Sequence, residues 1–174
     1  IERTGDDEWQ YLEKPDDWKE ASIEDLEKAI LDAGIVGMGG AAFPTHVKLK
    51  VLPEKPIDTF ILNGCECEPY LTCDHRMMLE KTDRILEGMA IALKVLKVKD
   101  GYIGIEYNKK DAIEMMRQRV EAGGYPFKVV PLKVKYPQGA EKMLIKAILN
   151  RNVPIGGLPG DVGVIVSNVG TAHA

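Results

Sequence analysis

Long apolar runs are missing from this sequence. The longest, Met89 to Val98, is broken by Lys94 and Lys97, and falls well short of the ~20 apolar residues a helix needs to cross a bilayer. A basic excess is missing too: 23 Lys and Arg stand against 27 Asp and Glu, a net charge of −4. With no domain-wide positive field, nucleic acid and anionic membrane surfaces make poor partners. Cysteine is scarce. Cys65, Cys67 and Cys73 form an odd-numbered cluster, which argues against a secreted disulfide framework and for a reducing compartment. Internal repeats, low-complexity tracts and a visible signal peptide are lacking as well. The chain opens at Ile1 rather than Met and stops at Ala174 just after an apolar run, so both ends read as cut from a longer protein. What is present is ordinary for a folded domain: 174 residues, 45% hydrophobic and 29% charged. Such a chain buries about 70% of its unfolded surface, and neither disorder nor a collagen-like fold fits.

The first 21 residues are acidic and turn-rich and read as an irregular segment preceding one α/β domain over 22–174. The periodicity predicts a helix from Ser22 to Ala33, with Ser22 and Asp25 placed as a capping box and Gly34 closing the end. A glycine-rich loop follows to Pro44, then a buried strand from Ile57 to Leu62 and a polar loop from Asn63 to Cys73. Thr82, Ile85, Met89, Leu93 and Leu96 step by three and four, marking a helix, with a short one opening near Asp74 before it. Tyr102 to Tyr107, Phe127 to Val134 and Val162 to Val166 read as strands, and Asp111 to Glu121 and Gly139 to Leu149 as helices. Asn150 to Asp161 is a Gly- and Pro-rich loop. Strands alternating with helices imply a mostly parallel sheet with helices on both faces. In such sheets ligands bind beyond the carboxyl ends of the strands.

Gly37-Met38-Gly39-Gly40-Ala41-Ala42 satisfies G-x-G-x-x-A formally. Its context is wrong for a dinucleotide fingerprint, which follows a strand and opens a helix. Four glycines in the seven residues from Gly34 to Gly40 exceed what a turn needs. They suit a nest of converging N–H groups for an anion, with Lys48 supplying an ammonium; the alternative is a plain turn between helices. In the loop after the first strand, Asn63 offers both a donor and an acceptor to a heterocycle edge. Glu66 and Glu68, two residues apart, point the same way if the chain is extended. Cys65, Cys67, Cys73 and His75 have the ligand types of a zinc site, but their spacing matches no usual zinc or iron–sulfur pattern, so no metal is assigned. No Ser–His–Asp arrangement is apparent, and His46 and His173 read as ordinary loop residues.

Four motifs in order carry a family resemblance. Gly34 through Lys48 resembles the FMN loop of the flavoprotein subunit of respiratory complex I. It is more similar still to the C subunit of Rnf-type ion-translocating ferredoxin–NAD oxidoreductases. Asn63 through Thr72, Tyr136 through Lys142 and Ser167 through Thr171 resemble the remaining three motifs of that subunit. The resemblance implies a Rossmann-like FMN-binding domain of the complex I flavoprotein-subunit type, peripheral on the cytoplasmic side of a bacterial membrane complex. Its partners are the other subunits, NADH and, indirectly, ferredoxin. The cofactors implied are FMN and NAD(H), with two 4Fe–4S clusters only in a C-terminal region beyond this sequence. Gly37, Gly39, Gly40 and Lys48 are implied to hold the FMN phosphate, with Ala41 among the cofactor-binding residues, Asn63 and Glu66 to line the flavin, and Asn168 and Thr171 to close the site. Phe43 is implied to contact NADH and Glu68 its ribose, while Gly139 and Glu141 sit in a turn near both cofactors.

Met38, Cys65 and Ala140 stand where the complex I branch has arginine, aspartate and glutamate, which favours the Rnf branch. Hydride transfer through a flavin needs no side-chain nucleophile, in keeping with the lack of a triad. Two alternatives stay open from sequence: a related NADH-dependent cobalamin reductase, and a non-catalytic α/β module binding an anion or zinc.

Overall fold

The computed structural model describes Pro15, residues 17–50 and residues 54–174. Most of the predicted irregular segment, residues 1–14 and 16, therefore lies outside the described residues. Four strands, β1 (Thr59–Asn63), β2 (Asp100–Glu106), β3 (Phe127–Leu132) and β4 (Val164–Asn168), form one parallel sheet in the order β3-β2-β1-β4. The chain steps from β1 to β2 to β3 in one direction, then returns to lay β4 on the other side of β1. The switch point therefore lies between β1 and β4, and their carboxyl ends, Asn63 and Asn168, are register partners. In open α/β sheets this crevice takes the ligand.

Burial alternates along the strands, as side chains with period two require. Phe60, Leu62, Ile103, Ile105 and Ile165 face a large core. That core is filled from α1 (Ile23–Asp32), α3 (Cys73–Glu80), α4 (Thr82–Leu96), α5 (Lys110–Ala122) and α7 (Val169–His173). Ile61, Val164 and Val166 face a smaller one against Leu144 and Ile145 of α6 (Glu141–Leu149). Both faces of the sheet are thus covered, as predicted. Among the described residues no helix is long and apolar enough to cross a membrane.

Ser22 caps α1 by accepting the Asp25 N–H at 3.1 Å, and Gly34 ends it at φ +62°. The predicted box is only half formed, since the Asp25 carboxylate takes the Ser22 hydroxyl rather than a backbone N–H. Other boundaries differ for tertiary reasons. β1 starts at Thr59 rather than Ile57, and β3 stops at Leu132 rather than Val134. β4 starts at Val164 because residues 159–162 wind into a 3-10 turn ended by Gly163 at φ +74°. Helix α6 starts at Glu141, two residues late, because Gly139 is drawn into contact with the loop after β1. Two short helices carry no sequence signal of their own: α2 (Thr45–Lys48), set off by Pro44, and α7, capped by the Asn168 side chain on the Gly170 N–H at 2.7 Å.

Candidate functional site

The glycine-rich loop is closed at its base. Val36 and Pro44 form an isolated antiparallel bridge, and the Gly37 N–H donates to the Phe43 carbonyl at 2.8 Å. The loop is moored at the switch point by α7: the Met38 N–H donates to Thr171 Oγ1 at 2.9 Å. A Cβ on Gly39 would sit 3.5 Å from that of Asn168, so the backbone lies against the end of β4. The amides of Gly37 and Met38 are therefore engaged within the protein, which corrects the expectation that Gly37 presents its N–H to an anion. The amides of Gly39, Gly40 and Ala41 have no acceptor among the described residues and sit on an exposed turn, with Gly40 at φ +113°. Lys48 ends α2, and its ammonium donates to Glu141 Oε1 at 2.7 Å, tying the first motif to the first turn of α6. One donor of that ammonium is thus in use, and the other two have no partner among the described residues.

The loop after β1 is not extended. Glu66 adopts φ +45°, and its two carboxylate oxygens accept the N–H groups of Asp74 and His75 at 2.7 and 3.1 Å, capping α3. The parallel Glu66–Glu68 pair expected from spacing does not form, and Glu68 stands exposed. Asn63 also differs from expectation. Its Nδ2 donates to the Gly139 carbonyl at 2.8 Å and its Oδ1 accepts the Cys65 N–H at 3.1 Å. It clamps the second motif to the third, leaving one amide hydrogen for a ligand. A Cβ on Gly139 would come within 3.2 Å of Cys65 Cβ and 3.3 Å of Cys67 Sγ, so any side chain there would press on both cysteines. Asn168 completes the ring, donating to Asp74 Oδ2 at 2.7 Å. Burial raises the Asp74 carboxyl above its usual range and the nearby Glu66 charge adds to this, while the Asn168 bond opposes both.

The four motifs thus meet at one end of the sheet, joined by Thr171 to Met38, Asn63 to Gly139, Asn168 to Asp74 beside Glu66, and Lys48 to Glu141. Phe43, Gly40, Ala41 and Glu68 make no such side-chain link and face outward, with Phe43 49% exposed.

The zinc alternative does not assemble. Cys65 is buried against α6, His75 Nε2 meets Asp111 Oδ1 at 2.8 Å, and among the described residues the sole cluster of metal-ligand type is Glu66, Cys73 and Asp74. The Glu66 oxygens of that cluster already serve as the cap of α3.

Sequence reasoning does not single out Glu106 and Lys109, the two charged residues that are buried among those described. The available signal is a charge ending an apolar strand, with an opposite charge three residues on. Two buried polar atoms in the first and third motifs, Thr45 Oγ1 and Gln138 Nε2, have no partner among the described residues. Buried polar groups are normally satisfied, so unmet hydrogen-bonding capacity gathers at this end of the sheet. Three amides with no acceptor among the described residues and a lysine are the donors these motifs offer, and the exposed Phe43 adds an aromatic face; such groups suit a phosphate-bearing aromatic ligand.

Fold and site together define a mononucleotide-binding α/β domain. The pattern of the family described as the Nuo51 FMN-binding domain matches residues 30–174, and the chain belongs to that family. It is similar to the C subunit of the proton-translocating ferredoxin:NAD(+) oxidoreductase complex of Clostridium ljungdahlii: 53% identical over 175 aligned positions, covering 100% of this chain and 38% of that protein. Its counterpart in the Na(+)-translocating complex of Acetobacterium woodii is 52% identical, with 84% of this chain and 33% of that protein covered. Its counterpart in the ion-translocating oxidoreductase complex of Salmonella typhimurium is 41% identical, with 100% and 23% covered. The chain spans less than two fifths of the length of each. Among solved structures, the NAD+-reducing NiFe hydrogenase in its H2-reduced state shares the fold, with a TM-score of 0.75 at 23% identity over 87% of this chain and 30% of that one.

Proposed function

We propose that this chain is the FMN- and NAD(H)-binding domain, residues 22–174, of the C subunit of an Rnf-type ion-translocating ferredoxin–NAD oxidoreductase. In this reading it is a peripheral subunit on the cytoplasmic side of the membrane. Its partners are the other subunits of the complex, with ferredoxin reached through them. The observation that carries the reading is the exposed run of amides with no partner among the described residues, Gly39 to Ala41, held through Met38 by Thr171 and lying against Asn168 at the switch point of the sheet.

Those amides, with the two remaining Lys48 donors, supply the local positive potential that a dianionic phosphate requires in an acidic chain. Glu141 holds the Lys48 ammonium in place from α6. Asn63 and Asn168 fix the two strand ends between which a flat ring system enters. Phe43 offers an exposed aromatic face to a nicotinamide, and the exposed Glu68 carboxylate accepts from a ribose diol while repelling a 2′-phosphate, which selects NADH over NADPH. The chemistry that FMN supplies when bound is hydride exchange with a nicotinamide and onward release of electrons singly, to 4Fe–4S clusters that this reading places outside the chain.

Reconstitution tests this. Purified protein is expected to bind one equivalent of FMN and quench its fluorescence, and anaerobic NADH to bleach the bound flavin's visible absorbance. Folded protein that leaves FMN fluorescence unchanged refutes the reading, and bound flavin inert to NADH reduces it to a non-catalytic flavin module.

A further inference from the structure

Two buried charges lie directly beneath the site. Glu106 is the last residue of β2, the strand between β1 and β3, and Lys109 lies just before α5. They are 2% and 7% exposed, with Lys109 Nζ 3.6 Å from Glu106 Oε2. Each reaches a different neighbour. The Lys109 ammonium donates to the Cys65 carbonyl at 2.7 Å and the Glu66 carbonyl at 3.4 Å, in the loop after β1. Glu106 Oε1 accepts the Lys135 N–H at 3.3 Å, in the loop after β3. The cation therefore grips the second motif, and the anion grips Lys135, the residue just ahead of the third, from the end of β2 and the turn that follows it. These loops meet again above, where Asn63 holds the Gly139 carbonyl and the Gly139 N–H reaches Cys67 Sγ at 3.4 Å.

Stability alone is a poor reason for this arrangement. Desolvating an ion pair costs about as much as the attraction returns, and apolar replacements of similar volume are often neutral or better. A positional reason is available. The left-handed kink at Glu66 brings two successive carbonyls inward onto one ammonium, and the same kink carries the Glu66 carboxylate round to α3. Fixing those carbonyls fixes where Asn63 and Gly139 can meet.

We propose that Glu106 and Lys109 are positioning residues: one buried ion pair that sets the spacing of the second and third motifs and thereby tunes flavin binding. The proposal rests on the FMN reading for its ligand, but the coupling of the two loops is independent of it.

Two measurements test it on this chain. In the first, FMN is titrated by fluorescence quenching into wild type, Lys109→Met, Lys109→Arg and the double variant Glu106→Leu/Lys109→Met, each with its urea midpoint. Lys109→Met is expected to lose about tenfold or more in affinity, the effect of one hydrogen bond to a charged group, and Lys109→Arg to recover most of it. The double variant is expected to regain the urea midpoint while its FMN affinity stays low. Affinity returning together with stability overturns the proposal, as does Lys109→Met binding FMN like wild type.

The second measurement is amide hydrogen exchange without FMN on the nearly isosteric Glu106→Gln, which serves should the Lys109 variants fail to fold. Exchange is expected to quicken together in residues 64–67 and 135–139. Quickening in one loop only, or in neither, overturns the coupling. Wild type that shows the coupling but binds no FMN refutes the functional reading and leaves the ion-pair joint standing.

Discussion

Gly88, in the middle of α4, determines whether the site can be assembled at all. A Cβ placed there would lie 1.8 Å from the Ala172 carbonyl oxygen and 2.8 Å from its carbonyl carbon. Helix α7 therefore rests on the bare backbone of α4, and α7 carries Thr171, which holds the Met38 amide and so the glycine-rich loop. In Gly88→Ala the added methyl meets backbone, which cannot rotate aside. Helix α7 must retreat by more than an ångström. Overpacking of this kind costs about 3 kcal/mol at the upper end of its range, and the better helix propensity of alanine returns about 1. A net loss of about 2 kcal/mol follows, or about 1 M in urea midpoint for a domain of this size. The same retreat breaks the Thr171–Met38 bond, so FMN affinity should fall even in conditions where the variant is fully folded. Urea denaturation followed by circular dichroism and FMN titration at low denaturant measure the two effects. A Gly88→Ala protein as stable as wild type, with unchanged FMN binding, would show that α7 is not pressed on α4 and that the mooring argument is wrong.

The thiols and one carboxyl give two further predictions. Burial, with the Glu106 and Cys67 charges adding to it, pushes the Cys65 thiol up to about 12, whereas Cys67 is partly exposed and Cys73 exposed. At about pH 8 a thiol reagent should modify Cys67 and Cys73 in the native protein, and Cys65 only on unfolding; a third fast equivalent in the native protein would contradict the packing. Because the folded carboxyl of Asp74 is raised, chiefly by burial, its contribution to stability grows as pH falls through its folded value and is complete below the unfolded one. Asp58, Asp111 and Asp161 are lowered and act in the opposite sense, so the readout is the difference between wild type and Asp74→Asn. That difference should favour the variant near neutral pH and shrink on acidification; a pH-independent difference would refute the buried-carboxyl account.

Much of the fold was legible because its signals are local. The 3.6-residue period of α4 and α5 and the apolar runs of β1, β2 and β4 follow from short-range geometry that the tertiary structure had no reason to override. Boundaries failed where a distant group intervened. Helix α6 begins late because Asn63, 76 residues away in sequence, holds Gly139, and α7 forms because Asn168 caps it on the bare stretch of α4. The site shows the same division. Sequence located all four motifs, yet Gly37, Asn63 and Glu66 use their polar groups largely within the protein rather than toward solvent. Glu106 and Lys109 passed unnoticed because a charge reads as exposed until the strands on either side are known.

The chain's order of residues determined which segments become strands and helices and where glycine, asparagine and glutamate cluster, since backbone preference and side-chain period are properties of neighbours. Only the tertiary structure decided the β3-β2-β1-β4 order, and with it that Asn63 and Asn168 stand side by side. It likewise decided which amides remain free for a ligand. Hydrogen-bond satisfaction and the burial of charge depend on what comes close in space, and no spacing along the chain encodes that.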